Sequence, residues 1–177
     1  MTANPAHHTE PQPPSPTAQP PMPAADRPSR VPWPPILIAA AVVAAIALGS
    51  VWPLAWPGER DLVARLVGHG IGIAGIALLI WSVTTLRRHG TTVLPDQPAT
   101  ALVTDGPYRF RRNPIYIADA LILLGAAELT ENIWFAVVAL PFLALVTWLA
   151  ILPEERHLEA RFGDAYRAYK QRTRRLI

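Results

Sequence analysis

The 177-residue chain is 51% hydrophobic and only 16% charged, against about 25% charged for an average soluble domain, and its length suits a single domain. It has no cysteine, which excludes disulfides, thiolate zinc sites and a cysteine nucleophile. A net charge of +3 and a pI near 9.8 would suit a nucleic-acid binder, but the placement of the charges assigns the basicity elsewhere.

Residues 1–32 are rich in proline, alanine, threonine and glutamine and show no apolar periodicity. Such a segment cannot bury enough surface to offset its ordering entropy, and it reads as a disordered tail. It is not a signal peptide, because the apolar core begins only around Pro35. The neighbouring His7 and His8 supply too few ligands for a metal, and no metal site is expected.

Residues 36–52 form a nearly uninterrupted apolar run with Trp33, Trp52 and Trp56 near its ends. A hydrocarbon core of about 30 Å needs roughly 20 such residues in a helix, and interfacial tryptophans suit its two boundaries. A second run, residues 66–86, holds one titratable residue, His69, and stops at Arg87-Arg88-His89. These two runs predict a membrane-spanning pair over residues 33–88. A polar connection follows from Arg87 to Asn113, carrying Pro95, Pro98, Gly106 and Pro107; loops of such length are often functional. Residues 115–127 are apolar but cover only about 20 Å as a helix, so a third helix must borrow neighbours or form a tight hairpin with the fourth. Residues 133–152 span easily, ending at Pro153, and the charged tail beyond spaces Leu158, Phe162, Tyr166 and Tyr169 as an amphipathic helix does. The expectation is an all-α polytopic membrane protein with about four transmembrane helices and a cytoplasmic C-terminal helix.

The charges orient it. Of 16 lysines and arginines, only Arg60 and Arg65 lie between the first two spans and none lies between the third and fourth. The rest fall on one face, which the positive-inside rule makes cytoplasmic, with both termini inside. Contact with anionic headgroups then explains the pI, and no nucleic-acid partner is expected.

Gly70-Ile71-Gly72-Ile73-Ala74-Gly75 fits G-x-G-x-x-G, but that fingerprint binds dinucleotides only between a strand and a helix. Inside an apolar span, Gly68, Gly72 and Gly75 predict close helix packing instead. Further on, Gly106-Pro107 makes a turn back to the membrane, Arg109, Arg111 and Arg112 crowd the interface, and Asn113-Pro114 starts a helix. A helix start favours an anionic group, although an interfacial anchor explains the same residues. Tyr116 and Asp119 share one helix face, and an intramembrane carboxylate such as Asp119 either serves a ligand or pairs with a neighbouring helix. Glu154 and Glu155 follow Pro153 at a boundary that otherwise collects positive charge. They are solvated residues, partners of Arg156 and Arg161, or a seat for a cation.

Several blocks in order resolve this choice by resemblance: Gly90-Thr91-Thr92 with Pro95, residues 102–109 (LVTDGPYR), Arg112-Asn113-Pro114-Ile115-Tyr116, Glu154-Glu155 with Leu158, and Phe162-Gly163-Asp164-Ala165-Tyr166 with Tyr169. Residues 89–177 thereby resemble the isoprenylcysteine carboxyl methyltransferase and phospholipid methyltransferase superfamily, most closely its bacterial members. The resemblance implies a helical fold that binds S-adenosylmethionine at the cytoplasmic membrane face. The family's cofactor elements fall on Tyr108, Arg112, Asn113, Pro114, Tyr116, Glu154 and Glu155. By analogy Glu154 or Glu155 pairs with the methionyl ammonium, Arg112 and the helix start serve the carboxylate, and Tyr108 and Tyr116 line the pocket. The implied acceptor is lipophilic or membrane-delivered: an isoprenylcysteine-like carboxylate, a phospholipid amine or a small lipophilic molecule. The implied location is a bacterial inner membrane. Ala118 departs from the family, which commonly has glycine there. The alternatives are a non-catalytic membrane protein that keeps the fold, and a nicotinamide-dependent reductase of related C-terminal architecture.

Overall fold

The computed structural model describes residues 31–54, 56, 61–91 and 100–176. The proline-rich tail with its histidine pair, Arg60, and Thr92 and Pro95 of the first family block lie outside the described residues. Helices α1 (Trp33–Val51), α2 (Leu62–Arg88), α3 (Pro114–Thr130), α4 (Trp134–Val146) and α5 (Leu152–Arg172) follow in order, with a 3-10 turn at Gly106–Arg109 and a π-turn at Thr147–Ile151 that joins α4 to α5 without a break. Among the described residues the sole departure from helix and loop is a single parallel bridge between Arg111 and Arg174.

Three helices, α1, α2 and the continuous rod Trp134–Arg172, are long and apolar enough to cross a membrane. The apolar part of that rod ends at the π-turn, and α5 beyond it is charged. The outward side chains confirm the setting: Ile73, Leu140 and Trp148 are 68%, 74% and 69% exposed, an apolar surface that suits lipid rather than water. The fourth crossing is α3, whose 17 residues reach about 25 Å. It lengthens the apolar run by taking in Glu128, Leu129 and Thr130, then stops at Glu131 in the left-handed conformation (φ 51°). Asn132 N–H bonds the Ala127 carbonyl at 3.0 Å, and Trp134 N–H bonds Asn132 Oδ1 at 3.0 Å, so α4 starts at once. The expected all-α, four-helix layout with a short third helix in a hairpin holds.

Helix α2 packs on α3, α3 on α4, and α4 on α1. The α2–α3 seam explains the glycine run: a Cβ on Gly72 would lie 3.0 Å from Gly125 Cα, and one on Gly75 would lie 2.9 Å from Ile122 N. Gly70 faces open space. The glycines are a packing surface, as their place in an apolar span predicts.

At the end of the bundle away from the arginine clusters, polar groups close on local partners. The Trp56 indole donates to Glu128 Oε2 at 2.6 Å, Asn132 Nδ2 donates to the Ala45 carbonyl at 3.0 Å, and the Trp134 indole donates to the Trp52 carbonyl at 2.7 Å.

Pro153 does not end the fourth helix. The π-turn places the last N–H, that of Leu152, on the Thr147 carbonyl, and proline, which has no N–H to give, fits the first turn of α5. The break comes later. Gly163 has φ 52° and ψ −124°, a conformation that side-chain-bearing residues rarely adopt. Past it the chain doubles back, because Lys170 Nζ reaches Glu159 Oε2 at 3.2 Å, whereas eleven residues of straight helix span about 16 Å.

Candidate functional site

The doubled-back half of α5 meets the α2–α3 connection at the arginine-rich end. Gly106, with φ 54°, lies so close to α2 that a Cβ there would sit 2.8 Å from Thr85 Oγ1. Pinned there, the 3-10 turn carries Tyr108 inward, and its main-chain carbonyl accepts the Tyr169 hydroxyl at 2.7 Å. The residues after the turn bond the C-terminal segment: Arg112 N–H to the Arg174 carbonyl at 2.9 Å, and Asn113 Nδ2 to the Arg175 carbonyl at 3.3 Å. Pro114 is fully buried at the start of α3.

Glu155, only 5% exposed, is the ionic centre. Its Oε1 accepts Arg112 Nε at 3.0 Å and Arg175 Nε at 3.1 Å, and its Oε2 accepts Arg175 Nη2 at 2.7 Å. Arg112 Nη1 also donates to the carbonyls of Lys170 and Thr173. Burial alone would raise the Glu155 carboxyl, but the hydrogen bonds from Arg175 and Arg112 outweigh it and hold the group below the ordinary carboxylate range. Removing one partner from a buried pair of this kind costs about 3–5 kcal/mol. The expected alternative partners, Arg156 and Arg161, are not the ones it uses.

Glu154, one residue earlier, has a different environment. Its carboxyl is hydrogen-bonded to Tyr116, and no lysine or arginine among the described residues lies within ion-pair range. Burial first, and the Glu155 charge second, push it up to about 7, with the Tyr116 hydrogen bond pulling the other way. Burial and the Glu154 charge also raise the Tyr108 hydroxyl above its ordinary value. Asp119 stands one turn along α3 from Tyr116, close enough to act on it electrostatically, and has no basic partner among the described residues.

Tyr108, Arg112, Asn113, Pro114, Tyr116, Glu154 and Glu155 therefore gather at one end, but they divide into two groups. Arg112, Asn113 and Glu155 are engaged in tying down the C-terminal segment, while Glu154, Tyr116 and Tyr108 form a polar patch whose carboxyl has no lysine or arginine partner among the described residues. Sequence reasoning missed Thr173 and Arg175 as parts of the site. It registered Tyr166 and Tyr169 as a helix face and as part of a family block but not as site residues, and both are buried here with ring centroids 6.1 Å apart. On the α2–α3 side, an open groove of about 440 Å³ is walled by Leu78, Trp81, Phe110, Arg111, Ile117 and Leu176 among others.

Fold and site together define a polytopic helical membrane protein with a buried acidic and aromatic site where two crossings and a returning helix meet. The chain belongs to the phospholipid methyltransferase family, a family of membrane methyltransferases, which matches residues 63–165. That match spans α2 through the first two thirds of α5 and leaves out α1, the end of α5 and the C-terminal segment that closes the ionic centre. The nickel-cobalt-cadmium resistance protein NccN of Alcaligenes xylosoxydans is 25% identical over 138 residues, 78% of this chain and 59% of that protein. The cobalt-zinc-cadmium resistance protein CzcN of Cupriavidus metallidurans is 30% identical over 136 residues, 75% of this chain and 56% of that protein. An uncharacterized Haemophilus influenzae protein is 38% identical over 65 residues, its full length and 36% of this chain. The chain thus spans less than three fifths of the length of the two metal-resistance relatives. No solved structure gives a significant match.

Proposed function

We propose that this protein transfers a methyl group from S-adenosylmethionine to a lipophilic or membrane-delivered acceptor. The observation that carries the reading is Glu154: a half-buried carboxylate flanked by Tyr116 and Tyr108, with no lysine or arginine of the described chain to balance it. A cofactor bearing an ammonium group supplies that missing charge, and the donor set fits it. When bound, S-adenosylmethionine supplies a methyl group already activated on a positively charged sulfur. The protein's own share is positioning and exclusion of water. In this reading Glu154 holds the ammonium, and the tyrosine hydroxyls orient Glu154. Arg112, which the resemblance would set on the cofactor carboxylate, acts instead by fixing Glu155 and the C-terminal segment beside the site. Asn113 and Pro114 set the start of α3.

The acceptor approaches from the bilayer side, where α3 begins. Asp119, deeper on α3, is placed to meet an acceptor in the membrane. The arginine-rich end faces the cytoplasm, with both termini inside, in a bacterial inner membrane. The relatives' names speak of metal resistance, but among the described residues no group of three or more histidines and carboxylates could hold a metal ion, and nothing else here favours that reading.

The test is calorimetric titration of the detergent-purified chain with S-adenosylmethionine, beside Glu154→Gln. Saturable binding that weakens in the variant supports the assignment. No binding by the native chain sinks the methyltransferase reading, and undiminished binding by the variant sinks the role of Glu154. Binding without methyl incorporation into any fraction of a total lipid extract would favour a non-catalytic protein that keeps the fold.

A further inference from the structure

The groove on the α2–α3 seam, whose wall also includes Pro107 and Pro114, opens on a different face of α3 from the one that carries Tyr116. Tyr116 is buried among the α4 residues, whereas Ile117 projects about 100° away around α3 and lines the groove. The wall is largely hydrocarbon, with Leu78, Trp81, Phe110 and Leu176 beside Ile117. The rim is cationic. Arg111 stands in the wall, held by Nε on the Leu176 carbonyl at 3.0 Å and by Nη1 on the Phe110 carbonyl at 3.0 Å. Carbonyls fix a guanidinium without neutralising it. Arg88 follows Trp81 by seven residues, so it shares that face of α2, roughly 10 Å closer to the end of the helix. Arg109 is exposed next to Phe110. Among the described residues no carboxylate pairs with Arg88, Arg109 or Arg111.

An apolar trough in the membrane boundary beneath a fixed guanidinium that no carboxylate among the described residues neutralises matches a molecule with a hydrocarbon chain and an anionic head. We infer that this groove is a binding seat for an anionic phospholipid, one acyl chain lying along Leu78, Trp81 and Ile117 and the phosphodiester resting on Arg111. Arg88 and Arg109 add to the attracting field. A zwitterionic lipid offers the same phosphate but also a cation, which the three arginines repel. Inorganic phosphate offers the charge without the chain. Leu176 is both a wall of the seat and the neighbour of Arg175, which binds Glu155, so an occupied seat also steadies the C-terminal segment at the ionic centre.

The experiment is native mass spectrometry of the full chain released from a mild non-ionic detergent, titrated separately with phosphatidylglycerol, phosphatidylcholine and phosphatidylethanolamine of identical acyl chains. Competition by inorganic phosphate is a further arm. One phosphatidylglycerol should be retained at about tenfold lower concentration than either zwitterionic lipid, given a contribution of the order expected for each basic residue near an anionic head. Ile117→Trp fills the groove and leaves every charge, and it should abolish this preference. Arg88→Gln with Arg109→Gln touches no internal bond and should weaken the preference about threefold or more. Unchanged thermal unfolding without added lipid shows that both variants are folded. Equal retention of the three lipids overturns the proposal, as does full phosphatidylglycerol binding by folded Ile117→Trp. Tighter binding of phosphatidylethanolamine overturns it in favour of an acceptor channel, and displacement of the lipid by millimolar phosphate reduces the seat to a free-anion site.

Discussion

The two ends of the helical bundle handle buried carboxylates in opposite ways. At the Trp56 end, Glu128 is 5% exposed and takes an indole N–H, while Asn132 and Trp134 cap nearby carbonyls; the hairpin needs nothing from outside. At the arginine-rich end two adjacent glutamates separate into different roles. Glu155 is balanced by Arg112 and Arg175, and Glu154 is left against tyrosines. Of these three carboxylates only Glu155 has a cationic partner among the described residues; Glu128 takes an indole N–H at the closed end of the bundle, and Glu154 is the one proposed above to receive a ligand's charge.

The strongest way to break the comparison is Glu155→Ala. It strands Arg112 without its counter-charge, and it should cost about 3–5 kcal/mol, seen as a large fall in the thermal unfolding midpoint in detergent. Because the folded carboxyl titrates below its ordinary value of 4.5, its stabilisation is complete above that pH and is lost as the pH falls through the folded value. Glu154→Gln tests the other half. It should weaken S-adenosylmethionine binding by about 2–5 kcal/mol, the usual cost of truncating one partner of a buried charge pair, with little loss of stability. Its folded carboxyl is raised from 4.5 to about 7, so the native chain should lose stability as pH climbs through that window, and the variant should not. Cofactor binding should weaken in the reverse direction, below about pH 7, as Glu154 takes up a proton.

Smaller effects sharpen the contrast away from the site. Gly75→Val puts a side chain against the α3 backbone and should cost about 1–3 kcal/mol by overpacking, read in the same unfolding assay. Trp56→Phe removes the indole N–H from Glu128 and should cost about 1–3 kcal/mol, the penalty for a buried acceptor left unsatisfied. It should leave cofactor affinity unchanged, and a loss of affinity would show that the two ends are coupled.

The crossings were legible in the chain because a bilayer demands long apolar runs, and Asn113-Pro114 marked the start of α3 through proline's fixed geometry. The glycines of α2 were legible once their apolar setting was weighed. The site was legible as a set of residues but not as a set of bonds. Pro153 reads as a stop, yet the π-turn before it absorbs the missing N–H. Gly163 reads as one small residue in an amphipathic tail, yet its positive φ reverses the chain and delivers Thr173 and Arg175. No periodicity reports the pairing of Glu155 with Arg112, which the α3–α4 hairpin brings beside it, or with Arg175, which arrives only after that reversal. For the same reason the separate fates of Glu154 and Glu155 could not be told from their adjacency.

The π-turn at Thr147–Ile151 has a consequence for how such a chain tolerates insertions and deletions. A π-turn holds one residue more than the helix it interrupts, and one residue is worth about 100° of rotation. The membrane-facing part of the rod and the glutamates beyond it are therefore set out of phase by that single extra position. A chain shortened by one residue there would keep its hydropathy, its charge and all the side chains discussed above. Its rod would relax to a regular helix, and Glu154 would swing away from Tyr116 like a key cut to the wrong tooth.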